Sequence, residues 1–461
     1  MNLVRSHAYH EIELHYRVHP VVLIEGPRQV GKTTLARMYA DSFLQSPPPP
    51  LRAPSAARTR RKPASAATTP AVIWFDLEDA RSRSILAENP ISALESPAGL
   101  VVIDEVQREP KVMQSIRVLV DRPGNTTRFL LTGSAAPTLI KGASETLAGR
   151  VGIITLGGFD LRETGPKRLQ QLWNRGGFPR SFLAETDESS ARWRRTFIDT
   201  FLERDMPQFG VDIPATTLRR FWTMIAHFHA NIWNAAELAR SLGASEPTAR
   251  KYLDILSDAF VVRQLLPWFE NVARRQVKAP KVYVRDSGLL HSLLGIDSAA
   301  DLLSHPKLGA SWEGFVIEQI LQLTGIRQAF FWATHSGSKL DLLLMHKSHR
   351  YGFECKFSDT PTQTRSMHGA IEALNLKHLY VVHPGTYAGP LNRKISLLPM
   401  RAIAETLDSL GMLATHAKPA GTPVRKPAAS RPRPRRKAVA TSSQRRSTIT
   451  RQRAKGSSRQ P

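Results

Sequence analysis

A glycine-rich segment near the N-terminal end constrains the fold more than any other feature of the sequence. The stretch "HPVVLIEGPRQVGKTTLARMYA" joins an apolar run from Val21 to Ile24, a glycine-containing turn, and an amphipathic segment in which Leu35 and Met38 lie three residues apart. This order predicts a buried strand, a loop and a helix. Residues 26–33 fit the pattern G-x-x-x-x-G-K-[ST] in full and in the structural context that the pattern requires.

The loop has the chemistry of a phosphate-binding site. Its backbone N–H groups and the helix N-terminus carry partial positive charge, Lys32 can reach the β and γ oxygens of a nucleotide, and the Thr33 hydroxyl can ligate Mg²⁺. The alternative is a strand-to-helix turn without a ligand, and the complete motif disfavours it. The residues that we expect to bind ATP in this loop are Gly26, Pro27, Arg28, Gln29, Val30, Gly31, Lys32, Thr33 and Thr34.

A second strand ends in two carboxylates. In "GLVVIDEVQREP" the apolar residues 100–103 precede Asp104 and Glu105. We expect Asp104 to hold the hydration shell of Mg²⁺, and Glu105 to orient and activate an attacking water beside the γ-phosphate. Two adjacent acids could instead cap a helix, but the apolar run before them argues against that interpretation.

Two further segments add polar groups to the predicted site. "RFLLTGSAAP" reads as a third buried strand tipped by Thr132 and Ser134, which could sense the γ-phosphate. "ETLAGRV" places Arg150 downstream, where a cation could neutralise charge that develops during phosphoryl transfer, in its own or a neighbouring subunit. A surface salt bridge is an equally good interpretation of Arg150.

The order and spacing of these segments resemble AAA-type ATPases of a bacterial and archaeal set usually described only as ATP-binding proteins. In that set, a strand like "VIWFDLED" lies between the phosphate-binding loop and the Asp-Glu strand. The resemblance implies a parallel-sheet P-loop domain that binds ATP and Mg²⁺. The Pro-rich insertion at residues 46–70 departs from the pattern, but it falls in a connection, where an insertion costs little.

The middle of the chain predicts a helix-turn-helix with a wing. In "WNAAELARSLGASEPTARKYLDILSDAFVVRQLLPW" we expect a helix over 235–242, a turn at Gly243, a second helix capped by Ser245, and two short strands around Val261 and Leu265. The second helix would present Thr248, Arg250 and Lys251 outward. These residues would contact a DNA major groove, or the unit would serve as a protein–protein spacer; the sequence leaves both open.

Carboxylates and a lysine cluster in the C-terminal third. "AFFWATHSGSKLDLLLMHKSHRYGFECKFSDTPT" predicts a strand over 330–332, a second beginning at Asp341, and a third carrying Glu354 and Lys356. Residues two apart on a strand share a face, so Glu354 and Lys356 project together and Asp341 can meet them. Hard oxygen ligands of this kind suit Mg²⁺, and a lysine can help to deprotonate water.

This cluster resembles the core of the PD-(D/E)xK nuclease superfamily. The resemblance implies Glu313 as the acid of the first helix, Asp341 and Glu354 as ligands of Mg²⁺ or Mn²⁺, and Lys356 as the catalytic lysine. The alternative is an inherited ion-pair network on an inactive nuclease fold. The region from about 15 to about 400 also resembles the same ATP-binding set as a whole, in stretches such as "RGGFPRSFL", "FLERD", "RDSGLLHSLLG" and "HPKLGASWEGF".

Charge is unevenly distributed along the chain. The formal net charge of the 461 residues is +25, yet residues 415–461 contain 14 Lys or Arg and no acid, and residues 46–70 contain five and no acid. Both segments are rich in Pro, Ala, Ser and Thr, so we expect both to be disordered. A basic tail would bind polyanions such as DNA through counterion release, or would act as a solubilising extension.

The sequence-level interpretation is a multidomain α/β protein. We expect an N-terminal helix (1–20), a P-loop AAA-type ATPase (21–165, insertion 46–70), a helical region with a winged helix (166–270), a restriction-nuclease-like domain (271–405) and a basic tail (406–461). One Cys, no signal peptide and no apolar run long enough for a membrane favour the cytoplasm, and the charge leaves monomer or oligomer open.

Two functions follow from these motifs. The first is an ATPase coupled to DNA binding and to a metal-dependent nuclease. The second is a regulatory or scaffold ATPase, in which a nuclease-like domain serves recognition only. Both require ATP. The first would contact DNA through the winged helix, the C-terminal domain and the tail, and the second would bind nucleic acid or another partner.

Overall fold

The computed structural model describes residues 5–45, 71–95, 99–134, 145–269, 278–334 and 337–414. The predicted insertion at 46–70 and residues 415–461 of the predicted tail lie outside this part of the chain. The described residues belong to one compact unit that spans Met1–His416.

A five-stranded parallel sheet organises the N-terminal part. Its strands, in the spatial order β2-β3-β4-β1-β5, are β1 (Val21–Gly26), β2 (Val72–Asp76), β3 (Leu100–Asp104), β4 (Arg128–Ser134) and β5 (Val151–Thr155). β1, β3 and β4 are buried along their whole length, as expected where both faces of a parallel sheet are covered. The predicted mixed α/β fold with a parallel sheet is confirmed.

Helices cover both faces of this sheet. They are Ser6–Tyr16, Lys32–Gln45, Ala80–Glu88, Pro90–Leu94 and Val112–Val120. Alternate β1 residues point to opposite faces: Leu23 packs with Val112–Val120, and Ile24 packs with the first two helices. Because all five strands run in one direction, their carboxyl ends meet at one edge, where open α/β sheets place their ligands.

A helical segment follows the first sheet. Its helices are Leu161–Thr164, Leu169–Arg175, Pro179–Phe182, Asp187–Thr200, Met206–Gln208, Ala215–His227, Ala235–Leu242 and Glu246–Asp258. A π-helical segment, Phe201–Asp205, joins Asp187–Thr200 to Met206–Gln208. Elsewhere in the chain and within this segment, short 3₁₀ turns occupy Val106–Arg108, Pro166–Arg168 and Met400–Ala402.

The core of the helical segment is rich in aromatic residues and includes fully buried Phe221 and Trp222.

The two helices and the turn predicted over residues 235–258 lie where the sequence places them. Ala235–Leu242 ends at Gly243, which adopts the left-handed conformation (φ 72°), and Ser245 caps Glu246–Asp258 by accepting a hydrogen bond from the backbone N–H of Thr248. Gly favours this conformation because it has no Cβ. On the second helix, Arg250 and Lys251 are exposed.

The predicted pair of strands after this helix is wrong. Leu265 lies on a single strand, β7 (Val262–Pro267), and Val261 lies just before it. The antiparallel partner of β7 is the next strand along the chain, β8 (Lys281–Val284), which lies beyond the segment in which the sequence predicts both strands.

A nine-stranded mixed sheet crosses the predicted boundary at residue 270. Its spatial order is β13-β14-β12-β11-β10-β9-β7-β8-β6. β7 pairs with β8 on one side and, in parallel, with β9 on the other. The remaining strands are β6 (Asn231–Ile232), β9 (Ala329–Ala333), β10 (Lys339–His346), β11 (His349–Cys355), β12 (His378–His383), β13 (Gly389–Pro390) and β14 (Ile395–Pro399). The predicted middle and C-terminal domains therefore share one sheet.

The last helices are Ser287–Leu293, Ala299–Ser304, Leu308–Thr324, Arg365–Ala373 and Ile403–Ser409. Leu308–Thr324 is buried on most of its surface and packs into the core of the second sheet. Ile403–Ser409 runs past the predicted start of the tail at residue 406, because Ile403 and Leu407 are buried in the same core. No helix in the described part of the chain has the length and apolar character needed to cross a membrane.

Candidate functional site

The phosphate-binding loop joins β1 to the helix Lys32–Gln45, as the sequence predicts. Gln29 and Gly31 have positive φ values of 60° and 98°, which turn the loop back towards the helix. A side chain at Gly26 would place its Cβ 2.2 Å from the carbonyl oxygen of Leu156, so only glycine fits between the loop and the chain after β5. Non-glycine residues with positive φ concentrate at functional sites.

Lys32 lies inside the loop with its ammonium group on backbone carbonyls. Its Nζ donates hydrogen bonds to the oxygens of Gly26 (3.0 Å) and Pro27 (2.9 Å). The residue is only 4% exposed, and burial lowers the pKa of Lys32 to about 8 despite the nearby carboxylates of Glu105 and Asp104. Phosphate oxygens would compensate this buried cation better than the two carbonyl dipoles do.

Asp104, the last residue of β3, accepts hydrogen bonds from two hydroxyl groups. The Thr33 hydroxyl donates to Asp104 Oδ1 at 3.2 Å, and the Thr132 hydroxyl donates to the same oxygen. Burial raises the pKa of Asp104, and the two hydrogen bonds act in the opposite direction. The carboxylate and the Thr33 hydroxyl are hard oxygen donors, so these residues fit a magnesium ion.

Glu105 occupies a strained backbone position beside Lys32. Its φ of 58° and ψ of 47° are left-handed values that are uncommon outside glycine. Its carboxylate accepts hydrogen bonds from the Ser134 hydroxyl (2.8 Å) and from the Gln107 side-chain amide. Burial favours the neutral acid, but the Lys32 ammonium and these two hydrogen bonds outweigh burial and lower the pKa of Glu105. The carboxylate is thus held charged and oriented.

The structure thus brings together the predicted residues of the loop, β3 and β4. Gln107 belongs to the same site, although the sequence analysis did not select it: its side-chain oxygen accepts from the Ser134 backbone N–H at 3.2 Å. A glutamine two residues after the Asp-Glu pair was the only signal for it.

The prediction that Arg150 acts at the phosphates of its own chain is wrong. Its guanidinium forms two hydrogen bonds with the exposed carboxylate of Asp121, at 2.6 and 2.9 Å. Its carbonyl accepts from the Val21 backbone N–H at the start of β1. Gly26 ends that strand five residues later, roughly 16 Å away at about 3.3 Å per residue. Arg150 therefore lies at the opposite edge of the sheet from the phosphate-binding loop.

Arg28 connects the loop to the helical segment. Its guanidinium forms an ion pair with Asp205 and donates to the side-chain oxygen of Gln208 at 3.0 Å, and it lies 3.7 Å from a Glu78 carboxylate oxygen. Asp205 is 2% exposed. In the sequence, "FLERD" is typical of the resembled ATP-binding set, but no local pattern indicates a role for its last residue.

The C-terminal carboxylates meet, but a lysine lies among them. Lys281 Nζ, on β8, donates to Glu313 at 2.9 Å and to Asp341 at 3.4 Å. Lys356 Nζ lies 2.8 Å from Glu354, as the shared strand face predicts. Burial and the neighbouring Asp341 raise the pKa values of both Glu313 and Glu354, the latter to about 7.

In the predicted metal set Glu313, Asp341 and Glu354, the first two acids are paired with Lys281. Within the described residues, no group of three His, Cys, Asp or Glu side chains has an arrangement that could hold a metal ion. The Lys281 ammonium places a positive charge between two of these acids, where a bound cation would otherwise lie. Its position 60 residues before Asp341, outside the quoted motif, hid it from the sequence analysis.

Family models match three consecutive parts of the chain. Residues 18–165 match an AAA domain, so this part is a P-loop domain of the AAA type. Residues 166–300 match one domain of unknown function (DUF8612), and residues 308–403 match another (DUF4143).

Two mycobacterial proteins are similar over most of the chain. "Uncharacterized protein Rv2008c" of Mycobacterium tuberculosis and "Uncharacterized protein Mb2031c" of Mycobacterium bovis are each 46% identical over 387 residues, which cover 84% of this chain and 81% of theirs.

Solved structures overlap with the chain in part. The Walker-type ATPase paby2304 of Pyrococcus abyssi is 14% identical and covers 64% of this chain and 96% of its own, with a TM-score of 0.40. The Aeropyrum pernix ORC1 protein, solved in complex with DNA, is 10% identical and covers 66% and 95%, with a TM-score of 0.30.

Proposed function

Since the chain belongs to the family of these two mycobacterial proteins, we propose that its AAA domain binds ATP and hydrolyses it in the presence of Mg²⁺. One observation carries this proposal: the ends of three adjacent parallel strands bring Lys32, Asp104 and Glu105 to one edge, and Thr132 and Ser134 of β4 donate hydrogen bonds to the two acids.

The residues of the loop bind the phosphates in this proposal. The backbone N–H groups of residues 26–33 face the anion, and Lys32 exchanges its two carbonyl partners for β and γ oxygens. Thr33 and Asp104 would hold Mg²⁺, which neutralises phosphate charge when it is bound.

Glu105 takes a proton from the attacking water. Its lowered pKa keeps it ionised at neutral pH, and Ser134 and Gln107 fix the direction of its carboxylate. Thr132 connects the two acids, because its hydroxyl donates to Asp104 and accepts from the Glu105 backbone N–H at 3.2 Å. Loss of the γ-phosphate would therefore change the hydrogen bonds that Thr132 and Ser134 of β4 make with the two acids.

Replacement of Lys32 tests the nucleotide site directly. Lys32→Ala is expected to weaken ATP binding roughly 10- to 100-fold, because a hydrogen bond to a charged group contributes about 1.5–3 kcal/mol. Isothermal titration calorimetry with ATP and Mg²⁺ measures this. Arg37→Ala removes an exposed cation from the same helix and should leave the affinity unchanged. Equal ATP affinity in wild type and Lys32→Ala would contradict the proposal.

For the C-terminal part we propose recognition rather than DNA cleavage. The observation that favours this choice is Lys281, whose ammonium forms ion pairs with both Glu313 and Asp341. Lys356 likewise forms an ion pair with Glu354. The regulatory ATPase is thus preferred over the ATP-coupled nuclease.

DNA is the partner that we propose for the helix Glu246–Asp258. Its exposed Arg250 and Lys251 lie in the first half of a helix that follows a tight turn, an arrangement that suits backbone and groove contacts. The basic residues 415–461 would add attraction that does not depend on DNA sequence.

One experiment tests both parts of this second proposal. The double variant Arg250→Gln/Lys251→Gln is expected to bind duplex DNA more weakly, as measured by fluorescence anisotropy. The slope of log K against log salt concentration should become shallower by about one or two, which corresponds to the loss of one or two phosphate contacts. Lys167→Gln, an exposed lysine elsewhere, serves as the control. In the same samples DNA should stay intact with Mg²⁺ or Mn²⁺. Cleavage that disappears in Glu354→Ala would restore the nuclease interpretation.

A further inference from the structure

The segment Phe201–Gln208 reaches the phosphate-binding loop through a buried carboxylate. Asp205 ends the π-helical segment and forms an ion pair with Arg28, the third residue of the loop. Gln208, one turn later, accepts a second hydrogen bond from the same guanidinium. π-Helical segments within α-helices are rare and are frequently found at functional sites.

Asp205 lies within the electrostatic field of the proposed reaction centre. Lys32 is influenced by the Asp205 charge, and Asp205 is influenced by the charge of Glu105. The carboxylate thus lies near two cations, Arg28 and Lys32, that a nucleotide phosphate would also approach. Burial raises the pKa of Asp205 although Arg28 lies beside it, so the ionised form is held at a cost.

We propose that the carboxylate of Asp205 occupies, on Arg28, the place of a nucleotide phosphate, so that ATP displaces it and releases the segment Phe201–Gln208. Arg28 then becomes a second phosphate-binding cation of the loop, beside Lys32. The proposal rests on ATP binding at this loop, and it adds a residue from outside the AAA domain that responds to the bound nucleotide.

The packing of the segment gives the release a direction. Phe201 stacks on Phe197 with ring centroids 5.9 Å apart and packs against Trp222 at 5.3 Å. Both partners belong to the aromatic core that also buries Leu253 of the helix Glu246–Asp258. Release of the segment would therefore alter the packing of the core that supports the helix Glu246–Asp258, on which Arg250 and Lys251 are exposed.

Hydrogen exchange and calorimetry together test this proposal. In the wild-type protein, ATP with Mg²⁺ should accelerate amide exchange over residues 201–208. In Asp205→Asn, the amides of residues 201–208 should exchange rapidly without nucleotide and show no further change with ATP. The variant should bind ATP about tenfold more tightly, because ATP no longer has to displace the Asp205 carboxylate from Arg28. Asp199→Asn makes the same chemical change on the preceding helix, in an exposed pair with Arg219, and should behave as wild type.

Several outcomes would overturn the proposal, and they are distinguishable. ATP binding to wild type that depends on Lys32, without any change of exchange over 201–208, would leave the ATPase proposal standing and reject the role of Asp205. Asp205→Asn with unchanged or weaker ATP affinity would do the same. Asp205→Glu keeps the charge and should retain nucleotide-dependent exchange. If Asp205→Asn does not fold, the wild-type exchange experiment decides alone. Absence of ATP binding in wild type would reject both proposals.

Discussion

Glu105→Gln is expected to lower kcat for ATP hydrolysis by about 10²- to 10⁴-fold, the usual contribution of a general base. The amide is nearly the same size as the carboxylate and can still bond Ser134 and Gln107, but it cannot accept the proton of the attacking water. ATP binding should persist, because Lys32 and Thr33 are unchanged. Phosphate release and nucleotide affinity, measured on the same preparation, separate the two effects.

The control for this variant is Glu88→Gln. Glu88 is an exposed acid at the end of the helix Ala80–Glu88 in the same domain, so its replacement makes the same change of net charge. It should hydrolyse ATP at the wild-type rate. If Glu105→Gln also does so, Glu105 is not the base, and the nucleotide would act as a conformational switch with slow turnover.

Glu318→Ala is expected to destabilise the protein by about 3 kcal/mol, because it leaves two partly buried arginines without a counter-charge. The Glu318 carboxylate, 4% exposed, accepts from Arg263 on β7 and from Arg285 just after β8. These two charges hold the pKa of Glu318 below its usual value in spite of burial. The free energy of unfolding from urea titration measures the loss.

An exposed ion pair provides the comparison for this stability prediction. Glu188→Ala removes the partner of Arg192 four residues along a helix, where both side chains are more than three-quarters exposed. Its effect should stay below about 1 kcal/mol. A similar small loss in Glu318→Ala would mean that water reaches Arg263 and Arg285 after the substitution and solvates their charges.

The nucleotide site was predictable because its chemistry is local. Lys32 and Thr33 belong to one continuous motif, and Asp104 and Glu105 directly follow an apolar run that reads as a strand. Parallel pairing then brings the strand ends to one edge without further information.

The residues that changed the functional interpretation are long-range neighbours. Lys281 forms an ion pair with Asp341 from a strand 60 residues away, and Asp205 meets Arg28 across 177 residues. Neither contact has a sequence period or spacing that could reveal it. Arg150 shows the opposite error, because a cation near the motif in sequence lies at the far edge of the sheet.

The shared nine-stranded sheet bears on how the molecule can be divided. A fragment that begins at residue 271 would lack β7, and β8 and β9 would each present a row of unpaired backbone N–H and C=O groups. Such open edges favour pairing with other chains and aggregation. The part after the AAA domain is therefore best expressed as one piece, since its middle and C-terminal segments depend on the same strand pairing.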